Sequence, residues 1–295
     1  MPIATTPFDD EGRLDLSGLA AVVEHVLRSG AHGVVYPAIA SEFQTLAPEE
    51  RLSAVEQVLD VVDGRKPTVV GISCADDRIS SAELAAHAAD RGAAALMLMP
   101  PPTREGSGRP PHAVFEEVAG RCPLPIVLQN APPPLGPALS VEAVLEIVQA
   151  VPGVRYVKEE TLPCGHRISR LLQGERALAG VFGGAGGRFV LDELARGSVG
   201  SMPACEFTAI HVMLYDRFRA GDHAAARRIF NMMLPLLNFE SVFRTSVTKH
   251  ILHRMGIISS PRYRDHNPDL DDSDRKELAV ILEDMGAWAS PAVQS

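Results

Sequence analysis

The chain has 295 residues, of which 46% are hydrophobic and 22% are charged, and its net charge is −9 at neutral pH. This composition excludes extensive disorder, and the lack of a basic cluster excludes nucleic acid as the partner. No apolar run is long enough to span a membrane, no signal-peptide pattern opens the chain, and the four cysteines lie far apart, which together predict a cytoplasmic protein with reduced thiols.

Short apolar runs, typical of strands buried on both faces, alternate with segments of helical spacing roughly every 25–30 residues. The predicted strands are Ile3–Thr5, Gly33–Tyr36, Thr68–Gly71, Ala94–Met99, Pro125–Gln129, Val154–Lys158, Leu178–Phe182 and Ser198–Ser201. The predicted helices include Leu16–Leu27, Pro48–Val62, Ser80–Arg91, His112–Arg121 and Val141–Ala150. An open doubly wound sheet is the alternative, but the count of eight units favours an α/β fold of the (β/α)8 TIM-barrel type with a C-terminal helical extension.

The last third of the chain carries apolar stripes with helical spacing over residues 206–255 and 273–288. We predict one structural unit, in which residues 1–205 form the barrel and residues 206–295 form helices packed on it. The rim of a barrel offers these stripes only part of a partner surface, so we expect a homodimer or a homotetramer.

The use of lysine singles out one position as a candidate nucleophile. Only four of the 28 basic residues are lysines, and the others are arginines, which cannot form an imine. Lys66 lies in a turn, and Lys249 and Lys276 lie in helical segments, whereas Lys158 ends an apolar strand. Barrel active sites lie at the C-terminal ends of strands, so Lys158 is the candidate for a Schiff base. The alternative is a strand-end ion pair with a neighbouring glutamate.

Glu160 is the candidate acid or base. It follows Lys158 by two residues, so both side chains point to the same side if the strand continues that far. A carboxylate beside an imine carbon removes the adjacent C–H proton or protonates a departing hydroxide. The second role requires the pocket to raise the pKa of Glu160. The alternative is a simple salt bridge with no role in catalysis.

Two further strand ends carry groups that suit substrate binding. Gln129 and Asn130 end the fifth predicted strand, where amides either orient a substrate hydroxyl or carboxylate or cap the backbone before the proline-rich turn. The small residues around Ile39, Ala40 and Ser41 leave backbone N–H groups and one hydroxyl to hold a carboxylate.

Glycine and serine mark the last two strand ends. Gly183 and Gly184 allow close approach of a substrate or a tight turn, and they match no phosphate-loop pattern. Ser201 ends the last predicted strand and is a further substrate-binding candidate. The histidines show no spacing typical of a metal site, so we expect neither a metal nor a cofactor.

Motifs along nearly the whole chain resemble those of one enzyme family. They lie at residues 5–12, 29–33, 41–51, 99–101, 125–132 and 157–159. On these segments the chain resembles the dihydrodipicolinate synthase and N-acetylneuraminate lyase family of class I Schiff-base enzymes. The resemblance implies a barrel fold and assigns the imine-forming role to Lys158.

The chain departs from the synthases and neuraminate lyases of that family at three places, one of which is a tyrosine after the proline of the fourth strand, where this chain has Pro101 and Pro102. Those enzymes have a tyrosine where this chain has Gln129, and a Gly-Thr-Thr-Gly-Glu type of loop where it has residues 38–42. The chain is more similar to the branch that includes L-2-keto-3-deoxyarabonate dehydratase, which shares segments like 129–132, 158–160, 200–202 and 234–240. In that branch an acidic residue replaces Ile39. The resemblance implies an imine between Lys158 and a 2-keto-3-deoxy acid, with Glu160 as acid or base and the backbone of residues 39–41 as the carboxylate cradle.

The sequence therefore predicts a Schiff-base-forming lyase that acts on a small-molecule 2-oxo acid. The main hypothesis is a dehydratase of a 2-keto-3-deoxy sugar acid. A pyruvate-dependent aldolase or a condensing enzyme like dihydrodipicolinate synthase is one alternative. A metal-dependent aldolase on the same fold and a catalytically silent 2-oxo acid-binding protein are two others.

Overall fold

The computed structural model describes residues 1–74, 79–101, 110–174 and 178–286. Seven parallel strands form a curled sheet, and their order in the sheet follows their order in the chain. They are β1 (Val34–Tyr36), β2 (Thr68–Gly71), β3 (Ala95–Leu98), β4 (Ile126–Asn130), β5 (Val154–Glu159), β6 (Gly180–Gly183) and β7 (Gly200–Ser201). This arrangement confirms the predicted α/β fold and is consistent with a TIM barrel.

The N-terminal segment differs from the prediction, because Ile3–Thr5 is not a full strand. Ile3 alone forms parallel bridges, one to Val35 in β1 and one to Ala204 just beyond β7. Its amide donates to Pro203 O over 2.8 Å, so the segment lies between the first and last strands of the sheet. The flanking Pro2 and Pro7 have no amide hydrogen to extend the pairing. The described residues thus contain seven strands instead of eight, and the isolated bridges of Ile3 stand in place of the first predicted strand.

The structure contains eleven α-helices within the described ranges. They are α1 (Leu16–Arg28), α2 (Pro48–Val62), α3 (Ser81–Asp90), α4 (Ala113–Arg121), α5 (Val141–Ala150), α6 (Cys164–Leu172), α7 (Val190–Ala195), α8 (Thr208–Arg219), α9 (His223–Phe243), α10 (Thr245–Arg254) and α11 (Asp272–Asp284). The five helices predicted by residue range are confirmed to within one residue at each end. Three of them are capped by side chains that accept hydrogen bonds from first-turn amides, namely Asp15, Ser80 and Ser140. Such caps are recognisable in a sequence, which explains why the starts of these helices were predicted correctly.

Strand alternation separates two apolar layers. Side chains such as Val35, Val127 and Met202 pack together inside the barrel, while their strand neighbours pack against the surrounding helices. On β5, Val157 belongs to the outer layer and Tyr156 to the inner one. Because side chains alternate along a strand, the residues two and four positions after Tyr156 face the barrel axis as well.

The C-terminal helices form a third apolar cluster. Residues of α8 to α11 pack with Val190, Leu191 and Leu194 of α7. We therefore propose that residues 1–205 and 206–295 form one structural unit, although residues 287–295 lie outside the described part of the chain. Among the described helices, none is both long and apolar enough to cross a membrane.

Candidate active site

A cavity of about 260 Å³ lies at the C-terminal ends of the strands. Part of its wall comes from strand ends and the loops that follow them, including Ile39, Ala40, Ala131, Lys158, Glu160 and Ala185. The remainder comes from the C-terminal helices and includes Leu237, Glu240, Ser241, Arg244, Thr245 and Thr248. The barrel thus supplies the floor of the cavity, and α9 and α10 supply one side.

Lys158, Glu160 and Gln129 form a chain of polar contacts at the floor. Lys158 Nζ lies 3.1 Å from Glu160 Oε1, and only 2% of the lysine side chain is exposed. Gln129 Nε2 donates to the other carboxylate oxygen, Oε2, over 2.7 Å. The alternation of β4 and β5 turns all three side chains toward the barrel axis. The structure therefore brings together the three residues that the sequence placed on two different strand ends.

The pKa of Glu160 differs from the sequence-based expectation. Burial acts to raise this pKa, but the positive charge of Lys158 and the hydrogen bonds from Gln129 and the Ala185 amide outweigh it. The pKa of Glu160 is consequently lowered, not raised as an acid role required. An ionised carboxylate next to the amine suits a base that removes a proton.

Asn130 faces away from the cavity. Its Nδ2 donates to Glu159 Oε2 over 3.0 Å and to Leu139 O over 3.1 Å, and its Oδ1 accepts the Leu139 amide over 2.9 Å. Glu159 in turn lies 3.1 Å from Arg167 Nε. Successive side chains of a strand point to opposite faces. Gln129 and Glu160 therefore point toward the cavity, whereas Asn130 and Glu159 lie in a buried polar network behind the barrel wall.

Gly183 and Gly184 leave room for two carboxyl groups on opposite sides of β6. A Cβ on Gly183 would lie 1.8 Å from Glu193 Oε2, and a Cβ on Gly184 would lie 2.4 Å from Glu160 Cγ. Gly184 therefore permits the observed position of Glu160, while Gly183 permits that of Glu193 on α7. Neither glycine itself lines the cavity, and their contact with substrate stays a prediction.

The predicted carboxylate cradle forms a turn of 3₁₀ helix over Ile39–Ser41. Ile39 and Ala40 line the cavity, and their amides donate to no carbonyl of the described residues. The hydroxyl of Ser41 instead donates to Ala4 O over 2.6 Å and accepts the Ala38 amide over 3.1 Å. The two backbone amides are thus available to a ligand, whereas the serine side chain fixes the turn.

Ser201 lies apart from the other candidates. It lines a second, smaller cavity of about 160 Å³, together with His211 and Thr208. Its hydroxyl is buried and has no hydrogen-bond partner among the described residues. The structure does not bring Ser201 to the cavity that contains Lys158, so its predicted substrate contact has no geometric support here.

The polar groups that the C-terminal helices add to the cavity were not predicted from the sequence. Glu240 and Arg244 are one helical turn apart on α9 and its cap, which places them on the same face. Arg188 and Asp265 line the cavity as well. A signal was present in the similarity of residues 234–240 to the dehydratase branch, but it carried no indication of which side chain faces the barrel.

A second buried lysine holds the loop that supplies Asp265. Lys249 pairs with Glu42 in the protein interior and donates to Arg262 O over 2.9 Å. Glu42 Oε2 also accepts the amides of Arg264 and Asp265, over 2.6 and 2.8 Å. Burial lowers the pKa of Lys249 to about 8. Lys249 does not line the cavity, so its ion pair fixes the loop and leaves Lys158 as the lysine at the floor.

Within the described ranges, no three His, Cys, Asp or Glu side chains are clustered as a protein metal site requires. The charged groups that line the cavity are Lys158, Glu160, Arg188, Glu240, Arg244 and Asp265. Such a set can form an imine, exchange protons and bind anionic or hydroxylated groups.

Comparison with known proteins finds similarity over nearly the whole chain. The model of the dihydrodipicolinate synthetase family matches residues 1–285. The chain is 29% identical over 285 residues to an L-2-keto-3-deoxyarabonate dehydratase from Azospirillum brasilense, covering 95% of this chain and 92% of the relative. It is 32% identical over 250 residues to a 4-hydroxy-tetrahydrodipicolinate synthase from Agrobacterium fabrum, covering 80% of each.

The fold is similar to solved structures as well. The crystal structure of dihydrodipicolinate synthase from Rhodopseudomonas palustris has a TM-score of 0.86 and 26% identity, and the match covers 96% of both chains. These matches confirm the resemblance inferred from the sequence. Because relatives with two different activities are about equally similar, the choice between those activities rests on the cavity.

Proposed function

Because this chain belongs to the dihydrodipicolinate synthetase family, whose members are lyases and aldolases, we propose that it is a class I lyase that forms a Schiff base with a 2-oxo acid. We further propose that it removes water from a 2-keto-3-deoxy sugar acid. The observation that carries this proposal is the contact between Lys158 and Glu160 at the floor of the cavity.

The proposed reaction begins at Lys158. Lys158 gives up its ammonium proton and the amine attacks the C2 ketone. The ketone oxygen leaves as water with that proton, and the resulting iminium draws electrons from the neighbouring carbon. Glu160 then takes a proton from C3, and the C3–H electron pair forms the enamine. The enamine pair next forms the C3–C4 double bond as the C4–O bond breaks, and the oxygen leaves as water once it is protonated. Water finally hydrolyses the unsaturated iminium and frees Lys158.

Gln129 favours dehydration over carbon–carbon cleavage. Cleavage requires a base for the C4 hydroxyl proton, and an amide cannot accept that proton near neutral pH. Gln129 instead donates to Glu160, which is the group that acts at C3 in the dehydration scheme. The aldolase remains the second candidate, because the iminium and enamine are common to both reactions.

The free amides of Ile39 and Ala40 suit the substrate carboxylate. They line the same cavity as Lys158, and backbone N–H groups in a turn bind anions well. With the C1 carboxylate there, the C2 carbon would be directed toward Lys158 on the floor. This role concerns backbone atoms, which explains why Ile39 can differ from the acidic residue of the dehydratase branch.

We also propose a cytoplasmic homodimer or homotetramer. All four cysteines lie in the described part of the chain, and none is in a disulfide. Three large apolar side chains of the C-terminal helices are exposed: Leu234, Val242 and Val280. A second copy would bury them, and light scattering at micromolar concentration tests this with a mass above the 31.6 kDa of one chain.

Incubation with a panel of racemic five- and six-carbon 2-keto-3-deoxy acids tests the proposed reaction. Mass detection should show loss of 18 Da, the mass of one water, with little pyruvate released. Lys158→Arg keeps the charge but cannot form an imine, and it should abolish turnover. Pyruvate as the main product would replace the dehydratase by the aldolase, and a fully inactive wild type would favour the silent binding protein.

A further inference from the structure

Two carboxyl groups meet at the wall of the cavity opposite the strand ends. Glu240 of α9 lines the cavity, and Glu206, which follows β7, lies buried behind it. The two side chains are hydrogen-bonded to each other. Thr248 of α10, which also lines the cavity, donates to Glu206 Oε1 over 3.3 Å. The pair is thus built from three elements and opens onto the space above Lys158.

This contact requires a proton. Two ionised carboxylates only accept hydrogen bonds, so one of the pair must be protonated for the bond to form. Glu206 Oε2 is buried and has no hydrogen-bond partner of its own among the described residues, and a proton shared with Glu240 would satisfy it. Burial raises the pKa of Glu206 and of Glu240, and it outweighs the opposing charges of Arg188 and Arg244 near Glu240. The pair therefore keeps a proton near neutral pH.

The cavity then contains carboxyl groups of opposite character. Glu160 is held ionised by Lys158, Gln129 and the Ala185 amide, whereas Glu240 shares a proton with Glu206. Dehydration needs a base at C3 and an acid at the C4 oxygen. Glu160, which is ionised before the reaction, suits the first role, and a second carboxyl group that already holds a proton suits the other. When the environments of two carboxyl groups shift their pKa values in opposite directions, the group with the lower pKa suits the role of base and the other suits the role of acid.

We propose that Glu240 is the general acid that protonates the hydroxyl group leaving from C4, with Glu206 as the positioning residue that holds its proton. This inference rests on the proposed function. As the C4–O bond breaks, its electron pair stays with oxygen, and the shared proton moves to that oxygen to give water. The pair is left doubly ionised and regains a proton from solvent, while Glu160 returns the C3 proton to solvent, so protons balance over a turnover.

The test separates proton removal at C3 from loss of water. Wild type, Glu240→Gln and Glu206→Gln are incubated in deuterated water with a racemic five-carbon 2-keto-3-deoxy acid. Deuterium at C3 is followed by NMR, and the dehydrated product by mass detection. In Glu240→Gln, C3 exchange should remain within a few-fold of wild type, while water loss falls by about 100-fold or more, as for other general acids. Glu206→Gln should show the same split to a smaller degree.

Glu193→Gln is the matched control. Glu193 is buried, and burial raises the pKa of this carboxyl to about 8, but it lies on α7 behind the barrel wall and does not line the cavity. Its exchange and dehydration rates should both stay near those of wild type. Borohydride trapping of pyruvate shows for each variant that the fold and the lysine are intact.

Three outcomes would overturn the inference. If Glu240→Gln dehydrates the substrate at the wild-type rate, Glu240 is not the general acid. An equal fall of exchange and dehydration in Glu240→Gln would assign the pair to binding or folding. Both of these outcomes, in a wild type that dehydrates the substrate, reject the acid role alone. A wild type that traps pyruvate but forms no dehydrated product would reject the proposed dehydration together with the inference, and a wild type that also traps no pyruvate would reject the Schiff-base proposal too.

Discussion

Gln129 donates a hydrogen bond from Nε2 to Glu160 Oε2 over 2.7 Å, on the side of the carboxylate opposite Lys158. The amide at the end of β4 therefore binds the carboxylate that faces the cavity. This contact fixes Glu160 in its ionised form between a cation and a neutral donor. In the proposed function, Gln129 thus favours dehydration over carbon–carbon cleavage although its amide does not itself exchange protons.

Gln129→Leu should remove the hydrogen bond to Glu160 and slow the reaction. A hydrogen bond to a charged group contributes about 1.5–3 kcal/mol, so losing it should lower turnover by tenfold or more. The pKa of Glu160 should rise, because the amide donor helps to lower it. The acid limb of the pH–rate profile would then move to higher pH. A profile with the wild-type acid limb would show that Gln129 does not tune Glu160.

Asn130→Ala should affect stability and spare imine formation. The side chain holds Leu139 and Glu159 through buried hydrogen bonds, and its loss leaves Glu159 with fewer donors. We expect a loss of about 1–3 kcal/mol in the free energy of unfolding, measured in urea. Borohydride trapping at Lys158 should remain. Loss of trapping in a variant with wild-type stability would place Asn130 in substrate binding after all.

Gly184→Ala should displace Glu160. The added methyl group would lie 2.4 Å from Glu160 Cγ, closer than real Cβ contacts, so the carboxylate must move away from Lys158. We expect C3 deuterium exchange to fall by tenfold or more while trapping persists, because catalysis is sensitive to small misplacements. Gly120→Ala on α4, with no atom within 4 Å of the new Cβ, is the matched control. Unchanged exchange in Gly184→Ala would contradict the role of Glu160 as base.

Glu193→Gln should change how stability depends on pH. Burial raises the pKa of Glu193 to about 8, from 4.5 in an unfolded chain. The folded protein thus binds a proton that the unfolded chain releases between these values, so the contribution of Glu193 to stability is fully present below about pH 4.5 and is lost as pH rises toward 8. The variant should lack this loss, which is on the order of a few kcal/mol. Parallel urea denaturation at pH 6 and pH 8.5 measures it, and identical pH dependence in both proteins would refute it.

The sequence predicted the repeating units well because their signals are local. Asp15, Ser80 and Ser140 mark helix starts, and apolar runs mark buried strands. It failed at Ile3–Thr5, because whether a short segment pairs fully depends on the strand ends that it meets in space. For Gln129 and Asn130 it could not decide which amide faces inward, since strand register is set by the whole sheet.

The Glu206–Glu240 pair was beyond sequence reasoning for a related reason. The two residues are 34 positions apart, one after a strand and one on a long helix, and the similarity of residues 234–240 to the dehydratase branch gives no partner for Glu240. The apolar stripes of α9 indicated packing, and only the packed structure shows which polar residue between the stripes reaches the cavity. The raised pKa values likewise follow from burial that only the fold creates.

The most direct test of the account is the site of the covalent adduct formed with pyruvate and borohydride. Lys249 is an internal competitor, because it is also buried and its pKa is lowered to about 8, yet it lies outside the cavity. Peptide mapping by mass spectrometry should find the reduced pyruvyl adduct on Lys158 and none on Lys249, and Lys158→Arg should yield no adduct. An adduct on Lys249, or an unmodified and fully active protein, would contradict the Schiff-base mechanism.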